Sequence, residues 1–341
     1  MANMFEELLK LEKNTYTNGL EGKKICIYGD NGTGKTYQAT RLPKTLLIEA
    51  EAGGSAVNCH KMPCQSWAIA TNIIKALTDT KTYDQMKEKF QTIVIDTAEQ
   101  LVNLSELAVA KQYGVTGVGE VAQATQNKVN GYALARANFA MEINKLTTLG
   151  YTVVFIMHEE KITKVDEVTG EEYVYVQPKG SSKEKGSLRF IKDLCDFTIY
   201  LKSNGMNAQG EYEKSTAICK NTKYVFARSR FDIQPFITPF TAKGLEQAVQ
   251  DAVTRTAEEE EVEIKTFEVT ENLLTLDNLK DMIEPYVKKL YPMFPNEING
   301  FITTFLGEGV KISQVTDEQK VGLENLYNNL VTFATVQGIN I

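Results

Sequence analysis

The sequence has no apolar run approaching the roughly 20 residues that cross a bilayer. Its opening residues, Met1-Ala2-Asn3-Met4-Phe5-Glu6-Glu7, lack the basic and apolar blocks of a signal peptide. No membrane contact is expected, and a cytoplasmic location is. Cysteine is sparse and odd in number. The five residues Cys26, Cys59, Cys64, Cys195 and Cys219 follow no framework spacing, so in a reducing compartment they read as free thiols. Cys59-His60 with Cys64 lacks a fourth metal ligand at usable spacing, and that segment reads as a plain loop. Internal repeats are absent. So is an overall positive charge, since the formal net charge is −7. The deficit is uneven: residues 244–341 carry 17 acidic and 7 basic side chains, which leaves 27 acidic and 30 basic in 1–243. A weakly basic core with an acidic appendage suits nucleic-acid contact by the core. It suits equally well two domains that merely differ in surface charge.

What is present is a regular alternation. Lys24-Ile25-Cys26-Ile27-Tyr28, Thr45-Leu46-Leu47-Ile48, Thr92-Ile93-Val94-Ile95 and Thr152-Val153-Val154-Phe155-Ile156-Met157 are short apolar runs of the kind that form buried parallel strands. Helical stretches at about 68–78, 98–112 and 131–148 separate them, which predicts an α/β fold with a mostly parallel central sheet and helices on both faces. Beyond His158 the pattern predicts a hairpin over 161–176 around Asp166-Glu167-Val168-Thr169-Gly170, a short helix near 187–194, and two or three β runs in 197–231. Residues 257–263 are an acidic stretch fit for a linker. Three amphipathic helices follow, on the faces of Leu279 to Leu290, Ile298 to Leu306 and Leu323 to Val331, the last opening with a Thr316-x-x-Gln319 capping box. The expected organisation is an N-terminal segment (1–22), a core (23–243), a helix with the acidic linker (244–269) and a small C-terminal helical bundle (270–341).

One motif is complete. Gly29-Asp30-Asn31-Gly32-Thr33-Gly34-Lys35-Thr36 matches G-x-x-x-x-G-K-[ST], directly after a predicted strand and before a helix. Its glycines let backbone N–H groups cradle phosphates at a helix N-terminus. Lys35 is expected to reach the β- and γ-phosphates of ATP, and the Thr36 hydroxyl to ligate Mg²⁺. Asp96 ends the third strand, where a carboxylate for that metal belongs. The second strand runs into Glu49-Ala50-Glu51-Ala52-Gly53-Gly54, and a carboxylate there can polarise the water that attacks the γ-phosphate. His158 ends the fourth strand at the edge where ligands of open α/β sheets gather. It can sense the γ-phosphate or serve only as a structural histidine.

Ile48-Glu49-Ala50-Glu51, Val94-Ile95-Asp96-Thr97, Phe155-Ile156-Met157-His158 and Phe226-Ala227-Arg228-Ser229-Arg230 occur in the order and setting of RecA-like recombinase cores. More closely, the chain resembles the phage RecA-like P-loop ATPases, a group that includes single-strand annealing proteins, over roughly 22–240. The resemblance implies a RecA-like P-loop NTPase core with Glu51 as catalytic glutamate and His158 in a position where recombinases more often carry glutamine. It also implies that Arg228 and Arg230 reach a neighbouring subunit's ATP, hence a homo-oligomer, ring or filament. The family holds single-stranded DNA in the loops after strands three and four. Here those loops bring Tyr113, then Lys179, Lys183, Lys185, Arg189 and Lys192, with Tyr173, Tyr175 and Phe190 able to stack bases. A phage origin makes the location the host cytoplasm. The acidic helical tail is expected to recruit a partner such as a single-strand binding protein.

Other readings stay open: a hexameric helicase or translocase, a regulatory ATPase, and a small-molecule P-loop kinase. The kinase has no use for Glu51 or the long 159–192 segment, and no arginine-rich lid is visible. The helicase lacks a domain before the P-loop.

Overall fold

The apolar runs become strands because each is buried on both faces. In the computed structural model, which describes residues 15–51, 57–183, 186–267, 276–316, 319–339 and 341, side chains of 277 and 278 excepted, this burial organises the first of two compact units, Met1–Val269. Lys185, the Gly53-Gly54 pair and residues 1–14 of the N-terminal segment lie outside the described residues.

Among the described residues the first unit contains β1 (Tyr16–Thr17), β2 (Lys24–Gly29), α1 (Lys35–Ala39), β3 (Thr45–Glu49) and β4 (His60–Pro63). Then come α2 (Trp67–Thr78), α3 (Tyr83–Lys89), β5 (Thr92–Asp96), α4 (Ala98–Gln112), α5 (Val121–Ala124) and α6 (Gly131–Thr148). They are followed by β6 (Thr152–Val165), β7 (Glu172–Pro178), α7 (Ile191–Leu194), β8 (Phe197–Lys202) and β9 (Thr216–Ile218). β10 (Arg228–Ser229), β11 (Phe236–Ile237), α8 (Ala242–Glu259) and β12 (Ile264–Lys265) complete it. The main sheet runs β11-β9-β8-β2-β6-β5-β3-β4, with β10 on β8 and β7 on β6. From β8 to β4 every ladder is parallel. The ladders to β7, β9, β10 and β11 are antiparallel.

Successive strand residues divide between two cores, as the period of two requires. Cys26, Tyr28, Ile93, Ile95 and Phe155 meet Ile74 of α2, Leu101 of α4 and Phe139 of α6. Ile25, Ile27, Val94, Val154 and Ile156 meet Ala39 of α1 and Leu245, Ala248 and Val249 of α8. A slip of one residue would exchange the two sets. Each Ile or Val removed from its pocket forfeits about 1.5–3 kcal/mol, so the register is fixed. That register pairs Gly29 with His158, Asp96 with Ile156 and Glu49 with Asp96. The ends of β2, β3 and β5, and the point where β6 leaves the sheet, therefore lie at one level.

Two expectations change and a third holds. His60–Pro63, read as loop, is the parallel edge strand β4 on β3. All four of its residues are exposed, and its lysine and proline suit an edge and leave no apolar pattern to read. The acidic stretch 257–263 is not a free linker. Ala257 is buried at the end of α8, Glu260 accepts a hydrogen bond from the Tyr16 hydroxyl at 2.7 Å, and β12 pairs in parallel with β1. The hairpin forms, with β6 and β7 paired from Glu159↔Pro178 to Val165↔Glu172.

The second unit, Thr270–Ile341, contains α9 (Leu276–Leu290), α10 (Pro295–Leu306) and α11 (Lys320–Val336) around Leu279, Ile283, Ile298, Leu326 and Leu330. The capping box does not form. The Gln319 side chain instead donates to the Leu306 carbonyl at 3.0 Å, satisfying an orphan acceptor at the end of α10. Among the described residues no helix is long and apolar enough to cross a membrane.

Ending the chain after residue 269 is expected to leave a cooperatively melting first unit. Ending it after residue 256 removes Ala257, the Tyr16–Glu260 bond and β12, a loss of about 2 kcal/mol. For a unit of this size that lowers Tm by about 4–8 °C. Circular dichroism melts of the two truncations check it, and equal melting temperatures would return 257–267 to linker status.

Candidate nucleotide site

β2 ends against β8 so closely that a Cβ on Gly29 would stand 2.5 Å from the Leu201 carbonyl oxygen, and only glycine fits. The chain then turns through Gly32 and Gly34, whose φ angles of 75° and 85° lie in the left-handed region that glycine enters freely. Lys35 is buried and donates to the carbonyls of Gly29 at 2.9 Å and Asp30 at 2.7 Å. Burial lowers its pKa, opposed by the carboxylates of Asp96, Glu99, Asp30 and Glu159. Asn31 donates its N–H to its neighbour Asp30 at 2.7 Å, and the Thr33 hydroxyl donates to the Asp30 carbonyl at 2.9 Å. From the segment between β8 and β9, Ser215 donates to the Thr33 carbonyl at 2.8 Å. The loop is thus braced before any ligand arrives.

Thr36 donates its hydroxyl to Asp96 Oδ2 at 2.7 Å. Burial raises the Asp96 carboxyl's pKa, and the Thr36 bond and Lys35 pull it back down. A half-buried carboxylate beside a hydroxyl oxygen is the donor set that hard divalent cations take. Thr36 and Asp96 are the residues that would hold Mg²⁺, whose charge offsets that of bound phosphates.

Glu51 is brought to Asp96 by the backbone: the N–H groups of Ala50 and Glu51 both donate to the Asp96 carbonyl, at 2.8 and 3.2 Å. Glu51 Oε2 accepts from the Thr97 hydroxyl at 3.1 Å. His158 is held by a residue the motifs did not reveal. Glu99, in the first turn of α4, accepts the His158 backbone N–H at 2.7 Å and lies 3.3 Å from its Nδ1 through the same oxygen. Its other oxygen, Oε2, is buried without a hydrogen-bond partner among the described residues, a state that costs free energy until a donor or cation reaches it. The available signal was a carboxylate three residues beyond Asp96 at a helix start. Glu51, Glu99, His158 and Lys179 line one cleft of about 440 Å³ with Thr97 and Gln100.

The remaining expected residues divide. Lys179 belongs to this cleft, and its N–H donates to the His158 carbonyl at 2.9 Å. Lys183 and Arg189 are exposed, while Lys192 lies 4.8 Å over the Phe226 ring with its pKa lowered by burial. Tyr113 packs on the small cluster of Val109 and Val118. Phe190, half-buried, stands edge-on to Phe139 at 5.5 Å, and Tyr175 is buried, which takes its ring away from stacking. Arg228 and Arg230 are exposed and pair with Asp193 at 3.4 Å and Asp196 at 3.5 Å. β10 joins the first residues of β8, Arg228 opposite Thr198. Both arginines therefore lie at the amino edge of the sheet, opposite the edge that carries their own P-loop.

Residues 21–231 match a family model described as an AAA domain. The chain belongs to that family. It is also similar to the SPbeta prophage-derived uncharacterized protein YorG of Bacillus subtilis (strain 168), with 33% identity over 324 residues that cover 92% of this chain and 94% of the relative. Family membership identifies a nucleotide-binding P-loop ATPase related to phage proteins, and the matched span contains the whole cleft.

Replacing Lys35 with Ala is expected to lower ATP turnover by about 10²–10³, the usual scale for losing one donor to developing charge. The melting temperature should hold, because the lysine bonds only to two carbonyls. Phosphate release at the wild-type rate would remove Lys35 from the site.

Proposed function

We propose that the protein is a RecA-like ATPase that binds single-stranded DNA in phage recombination, as an annealing or mediator protein. One observation carries this reading. The strand that brings His158 to the nucleotide cleft continues without a break into the β6–β7 hairpin, which returns as the basic segment 179–192, and Lys179 is hydrogen-bonded back to His158. A change at the γ-phosphate thus has a short covalent and hydrogen-bonded route to the cationic segment. The prophage setting of the similar protein is consistent with it.

In the proposed reaction Glu51 accepts a hydrogen bond from the attacking water. As water oxygen bonds to the γ-phosphorus and its proton passes to Glu51, the bond to the β–γ bridging oxygen breaks and ADP leaves. Lys35 stabilises the charge on the departing group. His158 contacts the γ-phosphate, and Glu99 is its positioning residue, fixing the ring through Nδ1 and leaving Nε2 to face the cleft. Glu51→Gln is expected to bind ATP but slow its hydrolysis by about 10²–10⁴. Glu99→Gln, acting through His158, should cost about 10–100-fold in kcat. Its affinity for a non-hydrolysable ATP analogue should stay unchanged, and a parallel loss of affinity would make Glu99 a structural group instead.

The DNA reading is tested with purified protein and an oligothymidylate. ATPase should rise when the strand is added. Lys183→Ala should flatten the slope of log affinity against log salt by about 0.7, one phosphate contact on a single strand. An ATPase indifferent to the oligonucleotide would sink the assignment and favour a regulatory ATPase.

Arg228 and Arg230 act, in this proposal, on the nucleotide of a neighbouring subunit, because they face away from their own. Mixing Lys35→Ala protein with an Arg228→Ala/Arg230→Ala double variant should restore part of the ATPase lost by each. No recovery in assemblies demonstrated to be mixed would leave the two arginines as surface ion pairs.

A further inference from the structure

We infer that a second cleft, formed where the chain leaves α4 and enters α6, seats one nucleotide of a bound single strand, with its base against Tyr132 and its phosphate at Arg136. The inference rests on the single-stranded DNA reading above and adds to it two residues outside the basic segment. The cleft has a volume of about 380 Å³ and is lined by Val118, Gly119, Ala122, Asn130, Tyr132 and Arg136, within the range of small-ligand pockets.

Arg136 is the reason to expect an anion. It is half-buried and makes no hydrogen bond or ion pair among the described residues. Arg41, Arg228, Arg230 and Arg255 all have such partners, and Arg189, which has none among the described residues, is exposed to water. A guanidinium partly withdrawn from water without a counter-charge is poorly solvated, and a phosphate matches its donor geometry. Tyr132 lies one turn earlier on α6, so the two side chains share a face. An aromatic ring beside an arginine is the pairing by which single-strand binders stack a base and hold its backbone without reading sequence. Apolar Val118 and Ala122 supply the rest of the wall.

The cleft has a built shape. A Cβ on Gly131 would come within 2.4 Å of the Val118 carbonyl oxygen, so the start of α6 is locked against the segment before α5. The cleft is also tied to the basic segment: Ser187, buried, donates its hydroxyl to the Tyr132 carbonyl at 3.3 Å. A strand lying along Lys183 and Arg189 therefore passes a site anchored to the same stretch of chain.

The test measures binding of the full-length protein to a fluorescein-labelled oligothymidylate, and to the same strand carrying 2-aminopurine. Arg136→Ala and the milder Arg136→Gln should each weaken binding by about 5–10-fold and flatten the salt slope by about 0.7, with melts verifying the fold. Tyr132→Leu should abolish the quenching of 2-aminopurine, and Tyr132→Phe, which keeps the ring, should retain it. If the wild-type protein binds the strand and all four variants match it within twofold, with quenching intact, this inference falls and the broader DNA reading stands. If the wild-type protein binds no strand, both fall. Adenosine monophosphate, tested alone, distinguishes a free nucleotide from a strand. Arg136-dependent binding of the mononucleotide that the oligothymidylate does not displace would overturn the inference.

Discussion

The parallel pairing of β2 with β6, which sets Gly29 opposite His158, is the constraint on which the chemistry of this chain depends. Both strands are buried on both faces, so their register is held by two hydrophobic cores rather than by the polar residues at their ends. The polar residues inherit their positions. Asp96 sits opposite Ile156 and Glu49 opposite Asp96, and the backbone of Ala50 and Glu51 hooks onto the Asp96 carbonyl. The carboxylates of Asp96 and Glu51 and the imidazole of His158 arrive at one edge because apolar side chains several residues earlier chose the alignment.

The sequence made this edge legible for a physical reason. Parallel strands are apolar throughout and short, and the P-loop demands particular residues at fixed offsets, so β2, β3, β5 and β6 with Lys35, Thr36 and Asp96 could be read directly. What escaped was held by contacts between segments far apart in the chain. β4 has no apolar pattern because it lies at an edge and all four residues are exposed. β12 is recognisable only through its partner β1, 248 residues earlier from Ile264 to Tyr16. Glu99 carries no motif, and its importance comes from accepting the N–H of His158 across two strands' worth of fold. Tyr175 looked like a stacking ring because it neighbours lysines, yet it is buried, and Phe190 is half-buried against Phe139 of the core.

Charge in the cleft is out of balance in a way that favours the ligand. Asp96, Glu99, Asp30 and Glu159 all act on the buried Lys35 ammonium, and one Glu99 oxygen has no donor among the described residues. Carboxylates held this closely repel one another and repel a bare triphosphate as well. In the proposed ATPase, a divalent cation held by Thr36 and Asp96 would offset part of that charge.

In the proposed ATPase, Glu99 is also the point at which a bound nucleotide would act on the rest of the unit. Glu99 uses one oxygen for His158, through both the backbone N–H and Nδ1, while the other waits at the cleft. A donor that engages the free oxygen draws on the same carboxylate that holds the histidine, and the His158 carbonyl in turn accepts the N–H of Lys179. Only these few bonds lie between the γ-phosphate region and the start of the basic segment, which itself is tied to α6 through Ser187 and Tyr132. Coupling of this kind needs no large motion. It requires only that bonds around a single carboxylate differ between the occupied and the empty cleft, because each bond made or lost at low dielectric is felt at its neighbours.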